Sequence, residues 1–168
     1  MTVALSPETR APKLPLQPSG WLRYFSFSVD HKVIGLQYLV CGFVFYLVGG
    51  ALAGAIRTEL LSPVSDFMPR DVYNQVLTLH GTVMIFLWIV PVVNGAFGNY
   101  LIPFYVGARD MAFPRLNAVA FWLIPPAGLM LIASYFLTGA AQSGWTAYPP
   151  LSITTPAMGQ IIWILSVL

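Results

Sequence analysis

The sequence predicts an all-α membrane protein with three transmembrane helices and the start of a fourth, forming part of a larger helical bundle. Three observations predict it. Charged residues make up 8% of the 168 residues and hydrophobic ones 57%, against about 25% charged in an ordinary soluble domain. The charges fall in clusters, and the gaps between clusters are apolar and long enough to cross a hydrocarbon core, which takes about 20 helical residues. The basic residues are also shared unequally among the clusters, as they are around membrane spans. Eight basic and six acidic side chains cannot cover the surface of a soluble chain of this size, so lipid is its solvent. A net charge of +2, scattered along the chain, is too small to suggest nucleic acid, and none is expected as a partner. Cys41 is the single cysteine, so no internal disulfide forms, and its apolar surroundings read as a small buried core position.

Each element follows from this spacing. Residues 1–28 carry Pro7, Pro12, Pro15 and Pro18 among small polar residues and read as a flexible tail; the apolar run of a signal peptide is missing. Residues 29–168 form the membrane part. Between Lys32 and Arg57 lie 24 uncharged residues, which place the first span at about 33–57. Val76 to Ala108 is uncharged over 33 residues, too long for one perpendicular crossing. The second span is set at 72–104, with its inner half interrupted by Pro91, Asn94, Asn99 and Pro103 and breaking up after Pro103. The third span is set at 116–141, with Pro125 and Pro126 inside it, tolerable where neighbouring helices satisfy the freed carbonyls. Residues 158–168 have the character of a fourth span but reach only about half the hydrocarbon thickness at about 1.5 Å per residue. A helix ending there would strand its last carbonyls in lipid, so the coding sequence is expected to continue past Leu168.

Arg10, Lys13, Arg23 and Lys32 precede the first span, and Arg109 and Arg115 lie between the second and third. Only Arg57 and Arg70 lie in the loop between the first two. Six basic residues against two put the N-terminus and the 105–115 loop on the cytoplasmic side. His80 then lies about two turns into the second span, in the outer half of the bilayer. An ionisable group there is costly and usually faces a protein interior or a cofactor. A neutral imidazole is the commonest metal ligand and the usual axial ligand of haem iron; Gly81 would let a flat macrocycle approach, and Met84 is soft enough to pack on it. The alternative is a histidine satisfied by a hydrogen bond to a neighbouring helix. Arg57 closes the first span beside Glu59, and as a lone residue it reads as a snorkelling anchor. On the opposite face, Asp110 with Asn99 and Asn117 leading inward is how a water-filled proton path could begin; an interfacial ion pair with Arg109 or Arg115 is the alternative. Trp145 and Tyr148 fit an interfacial aromatic belt equally well.

Residues 22–168 resemble the start of subunit I of the haem–copper respiratory oxidases. The matching segments are DHKVIGLQYL at 30–39, IRTEL at 56–60, TLHGTVMIF at 78–86, GNYLIP at 98–103, GARDMAFPRLN at 107–117 and GWTAYPPL at 144–151. GARDMAFPRLN followed by AVAFWL is highly specific, whereas TLHG alone is weak. The resemblance implies that His80 is an axial ligand of the low-spin haem, which is haem a in the cytochrome c branch. It implies that Arg57 hydrogen-bonds that haem's formyl group and that Tyr73, Met84 and Trp145 line or edge it. It implies that Asp110 is the mouth of a proton channel to which Asn99 and Asn117 belong, and that Glu59 matches a ligand of a structural cation site in some members. The high-spin haem a3 and CuB belong to the complete subunit, whose remaining histidines and catalytic residues lie outside this sequence.

The implied function is that of a catalytic subunit of a terminal oxidase reducing oxygen to water with electrons from cytochrome c and pumping protons. Implied partners are the remaining part of subunit I, subunits II and III, and cytochrome c or a similar soluble donor. The implied location is a bacterial-type inner or thylakoid membrane. The chain departs from the pattern at Arg109, where many cytochrome c oxidases have proline, and at Ala118, which replaces a second asparagine. A quinol oxidase is the alternative within the superfamily, but Val48, Leu52 and Val72 stand where that branch has a quinol-binding Arg, Asp and His. Outside it, a membrane scaffold subunit would use Gly42, Gly49, Gly50 and Gly54 for helix contacts, the last two in small-xxx-small spacing. A transporter piece would use Asn94, Asn99 and the prolines as a broken helix.

The charge asymmetry yields a direct test of orientation. A cysteine placed at Ser62 is expected to react with an impermeant thiol reagent from outside intact cells, and one placed at Ala108 is not. The reverse pattern inverts the assignment of both faces.

Overall fold

The computed structural model describes residues 20–64 and 67–168. The proline-rich part of the tail, with Arg10 and Lys13, and Asp66 of the first loop lie outside the described residues. Four helices carry the fold: α1 (His31–Glu59), α2 (Arg70–Tyr105), α3 (Pro114–Leu137) and the shorter α4 (Ala157–Val167). The first three are long and apolar enough to cross a membrane. Their outward faces match that setting: Val40, Phe43, Val44 and Leu47 of α1 are each more than half exposed, an arrangement that water would penalise and lipid does not.

A short 3₁₀ turn, Gly20–Phe25, precedes α1. Residues 20–28 therefore form structure where the tail reading expects none, and the reason is local hydrogen bonding. The Gln37 amide donates to the Tyr24 and Ser26 carbonyls at 2.9 and 3.0 Å. Asp30 caps α1 by accepting from the Lys32 amide at 2.9 Å and pairs with Arg23 at 3.0 Å. A side-chain acceptor at this position satisfies one of the helix's orphan donors.

α1 and α2 run antiparallel along a seam of glycines. A Cβ on Gly35 would meet the Ala96 carbonyl at 3.1 Å, one on Gly42 the Val92 side chain at 2.7 Å, and Gly49 faces Met84 and Val83. These glycines recur every seven residues, the repeat that keeps one helix face on its neighbour along a shallow crossing. Gly50 and Gly54, the pair in small-xxx-small spacing, have no neighbour within 4 Å and are not the contact. α3 lies against α1 through Phe121, whose ring meets Tyr38 edge-on at 5.1 Å, and through Gly128, which lies under the Phe45 ring. The result is two cores. One, toward the α1 N-terminus, joins Ile34, Tyr38, Ala96, Ala118 and Phe121. The other, toward the opposite end, joins Phe45, Leu79, Val83, Leu87, Leu131 and Trp163 with neighbours.

One boundary differs from expectation, and one winding. α2 ends at Tyr105, two residues after Pro103, in line with the span set at 72–104; its inner half is interrupted but not broken, because the helix changes its hydrogen-bond register there. Val83–Ile89 and Pro91–Gly98 are π-helical, with the Val90 amide reaching back five residues to the Ile85 carbonyl. The wider turn tolerates Pro91, which has no N–H to contribute. α3 ends at Leu137 rather than 141, because Gly139 adopts φ +74° and the Ala140 amide leaves the helix to donate to the Gln75 side chain of α2 at 3.0 Å. Ala140 and Ala141 are apolar because they are buried, not because the helix continues.

The seam predicts an asymmetric response to added bulk. Gly42→Val is expected to destabilise the detergent-solubilised protein by about 1–3 kcal/mol through overpacking, whereas Gly50→Val stays within about 0.5 kcal/mol of the parent. Denaturant titration monitored by helical circular dichroism measures both.

Candidate functional site

His80 sits three turns into α2, in its last α-helical stretch before the π-helical register begins. It is half-buried, and its Nδ1 lies 2.9 Å from the Gly49 carbonyl of α1. A carbonyl can only accept, so Nδ1 carries the proton and the Nε2 lone pair is left free. Bonding to a neighbouring helix and readiness to ligate are thus the same arrangement, since a ligating histidine is ordinarily oriented through its other nitrogen. Gly49 makes this possible twice, offering its carbonyl to His80 and its empty Cβ position to the Met84 sulfur.

Tyr73 and Met84 stand seven residues before and four after His80, so the three project from one side of α2. Trp145 reaches the neighbouring strip: its indole packs on Gly81, where an added Cβ would meet Cδ1 at 3.4 Å, and meets the Phe86 ring edge-on at 6.3 Å. Tyr73 also borders a cavity of about 390 Å³ with Glu59, Met68 and Arg70. Glu59 accepts there from the Met68 amide at 3.0 Å. Arg57, in the last turn of α1, is exposed, and no hydrogen bond or ion pair engages it among the described residues.

At the other end of α2, Asn99 is buried and anchors an amide pair. Its Nδ2 donates to the Gly95 carbonyl at 2.6 Å, which turns its Oδ1 toward Asn117, whose Nδ2 donates to it at 2.6 Å. The Gly95 acceptor therefore sets the direction of both amides. They line a cavity of about 330 Å³ together with Asn94, Tyr38 and Met111. Asp110 is half-buried and accepts from the Met111 amide at 2.7 Å. It forms no ion pair with Arg109 or Arg115, since Arg23–Asp30 is the one ion pair among the described residues. Ala118 is wholly buried in the core toward the α1 N-terminus, where an asparagine would need a partner for its amide.

Three features of these sites escape a reading of the sequence. One is the Gly49 carbonyl, because every residue carries the same backbone group. Another is buried His31, whose Nδ1 meets the Asn99 carbonyl at 2.9 Å. The last is a polar stripe on α2, Gln75, Thr78 and Thr82, which a helical spacing of three and four within an apolar run does signal. Among the described residues no three His, Cys, Asp or Glu side chains converge.

A family model described as "Cytochrome C and Quinol oxidase polypeptide I" matches residues 33–168. The protein "Cytochrome c oxidase subunit 1" of Thermostichus vulcanus is 60% identical over 157 residues, covering 92% of this chain and 28% of its own length. Its namesake in Synechocystis sp. is 62% identical over 148 residues, covering 88% of this chain and 26% of its own. That of Corynebacterium efficiens is 43% identical over 167 residues. The chain thus spans about a quarter of the length of the curated relatives it matches. It is an integral membrane protein, and it belongs to the cytochrome c and quinol oxidase polypeptide I family.

Proposed function

We propose that this chain works as part of the catalytic subunit of a terminal respiratory oxidase that reduces oxygen to water with electrons from cytochrome c and translocates protons. The observation that carries the reading is the His80 geometry: Nδ1 is committed to the Gly49 carbonyl at 2.9 Å, which leaves Nε2 free to bind iron. The donor set fits a low-spin haem a. One imidazole from α2, beside a glycine, a thioether and an indole, would hold the iron together with a group from elsewhere in the complete subunit. When bound, that haem supplies a one-electron carrier between the donor and a high-spin haem a3 and CuB site, whose ligands this chain does not contribute. His80 would hold the iron, Met84 and Trp145 would shield the macrocycle from water, and Arg57 would offer its formyl group a charged donor. Tyr73 edges the same side.

The inner end supports proton uptake. The Asn99–Asn117 pair lines a cavity of about 330 Å³ large enough for several waters, and Asp110, next to the lining residue Met111, would be the carboxylate at its mouth. In their bonded orientation both amides keep a spare N–H, and Asn117 keeps its carbonyl, for ordering those waters. We assign this end and the N-terminus to the cytoplasmic side from the basic-residue asymmetry. Cytochrome c is favoured over quinol as donor by the names of the relatives, each a cytochrome c oxidase subunit 1. The setting of Val48 and Leu52 agrees, since they line an apolar cavity with Leu79, Ile132 and Phe136. Subunits II and III and the rest of subunit I complete the assembly.

Two substitutions in the complete oxidase test the reading. Arg57→Met is expected to leave the haem bound while blue-shifting its reduced absorption band, because the formyl acceptor loses a charge-assisted donor. Its reduction potential falls too, as a nearby positive charge favours the electron-rich state. An unchanged band and potential mean that Arg57 is only an interfacial anchor. His80→Ala is expected to abolish the low-spin haem spectrum and electron entry in enzyme whose assembly has been verified. A histidine serving only its bond to Gly49 would instead cost about 1–3 kcal/mol of stability, with the spectrum and oxygen uptake intact.

A further inference from the structure

The polar stripe on α2 has work that neither the haem reading nor the proton path uses. Thr78 is wholly buried. Its hydroxyl donates to the Asn74 carbonyl at 2.7 Å, an acceptor only, so its one proton is committed within the helix. The lone pairs of Oγ1 then face the loop after α3, where the Gly144 amide donates to them at 2.9 Å. Gly144 holds φ +72°, a backbone conformation that side chains resist, and the next residue is Trp145, whose indole packs on Gly81. Gln75 secures the start of the same loop through the Ala140 amide at 3.0 Å, and Thr82 secures α4 by accepting from the Trp163 indole at 2.8 Å. Thr78 is the middle fastening, one residue from the indole and two from His80.

We propose that Thr78 is a positioning residue: through the Gly144 amide it seats Trp145 against Gly81, on the flank of the His80 site, and so tunes the group bound there. The seating is a property of this chain, while the tuning rests on the haem reading of His80. Without the clip the loop lifts and water reaches the macrocycle edge. Hydration favours the more highly charged oxidised iron, so the potential falls.

The test compares Thr78→Val, which keeps the shape and removes the oxygen, with Thr78→Ser, which restores it, in the assembled oxidase. Amide hydrogen exchange over residues 140–148 is expected to quicken about threefold to tenfold in Thr78→Val and to stay at the parent rate in Thr78→Ser. The low-spin band shifts and the potential drops in the valine variant and both return in the serine variant. Trp145→Phe moves band and potential in the same direction, and the double variant goes no further than the larger single change, as expected of residues acting through one contact. Unchanged exchange in Thr78→Val overturns the seating; quickened exchange with unmoved band and potential, or additive shifts in the double variant, overturns the tuning. If Thr78→Val does not assemble, Trp145→Phe carries the spectral arm, because Trp145 is half exposed, and an unshifted band there overturns the proposal. Failure of the haem reading shows separately, as an unaltered low-spin band in His80→Ala, and the exchange comparison then decides the seating alone.

Discussion

The close approach of α1 to α2 governs the rest of this structure. Gly35, Gly42 and Gly49 remove side chains at seven-residue intervals, so the two backbones meet where side chains would otherwise hold them apart. Only at that separation does a histidine on one helix reach a carbonyl on the other. It happens at both ends of the seam: His80 bonds Gly49, and His31 bonds Asn99, each at 2.9 Å. In lipid no water competes for these bonds and apolar burial supplies little driving force between helices, so packing and such polar contacts carry the association. The seam therefore sets helix register and imidazole orientation together.

α2 has to serve two ends with different chemistry, and its change of winding is how it does so. The first stretch, to Thr82, is α-helical and presents Tyr73 and His80 on one side and Gln75, Thr78 and Thr82 on another. Beyond it the π-helical segments rotate the helix differently per residue. That shift lets Val92 and Ala96 follow the glycine seam while Asn99 turns toward Asn117 on α3. π-helical insertions are rare and cluster at functional sites. Here they lie between the two candidate sites.

The spans were legible because charge is so expensive in lipid that its absence over 24 residues leaves few alternatives. Orientation of side chains was less so. His80 could be singled out as an ionisable group in an apolar run, yet its partner could not, since a backbone carbonyl at Gly49 looks like any other in the sequence. The helix ends soon after Pro103, as its sequence suggests, but its interior is harder to read: Pro91 argues for a break only if the helix must keep its i to i+4 register there, and over residues 83–98 α2 largely does not. The end of α3 was misplaced because hydropathy cannot tell an apolar residue in a helix from one buried in a loop. Ala140 and Ala141 are the latter, held by Gln75. The polar stripe of Gln75, Thr78 and Thr82 was not singled out; its helical spacing could have signalled it, but what it fastens lies about 65 to 80 residues further along the chain, beyond any local pattern.

These fastenings explain why the polar residues of so apolar a chain are worth their desolvation. Each hydroxyl of the stripe gives its proton to a carbonyl in its own helix, Thr78 to Asn74 and Thr82 to Thr78, and uses its oxygen to accept from another element. The two threonine hydroxyls thus both donate and accept, which is the condition for such a group to persist in lipid without a large cost. The same economy is seen at Asn99, where one amide bonds its own helix and Asn117 at once. Intrahelical bonding thus fixes the direction of each side chain before the partner arrives, and the partner meets an acceptor already aimed at it. A bundle fastened this way can carry irregular backbone, such as the loop at 138–148, against its helices, because α2 provides bonds to the Ala140 and Gly144 amides that water would provide in a soluble protein.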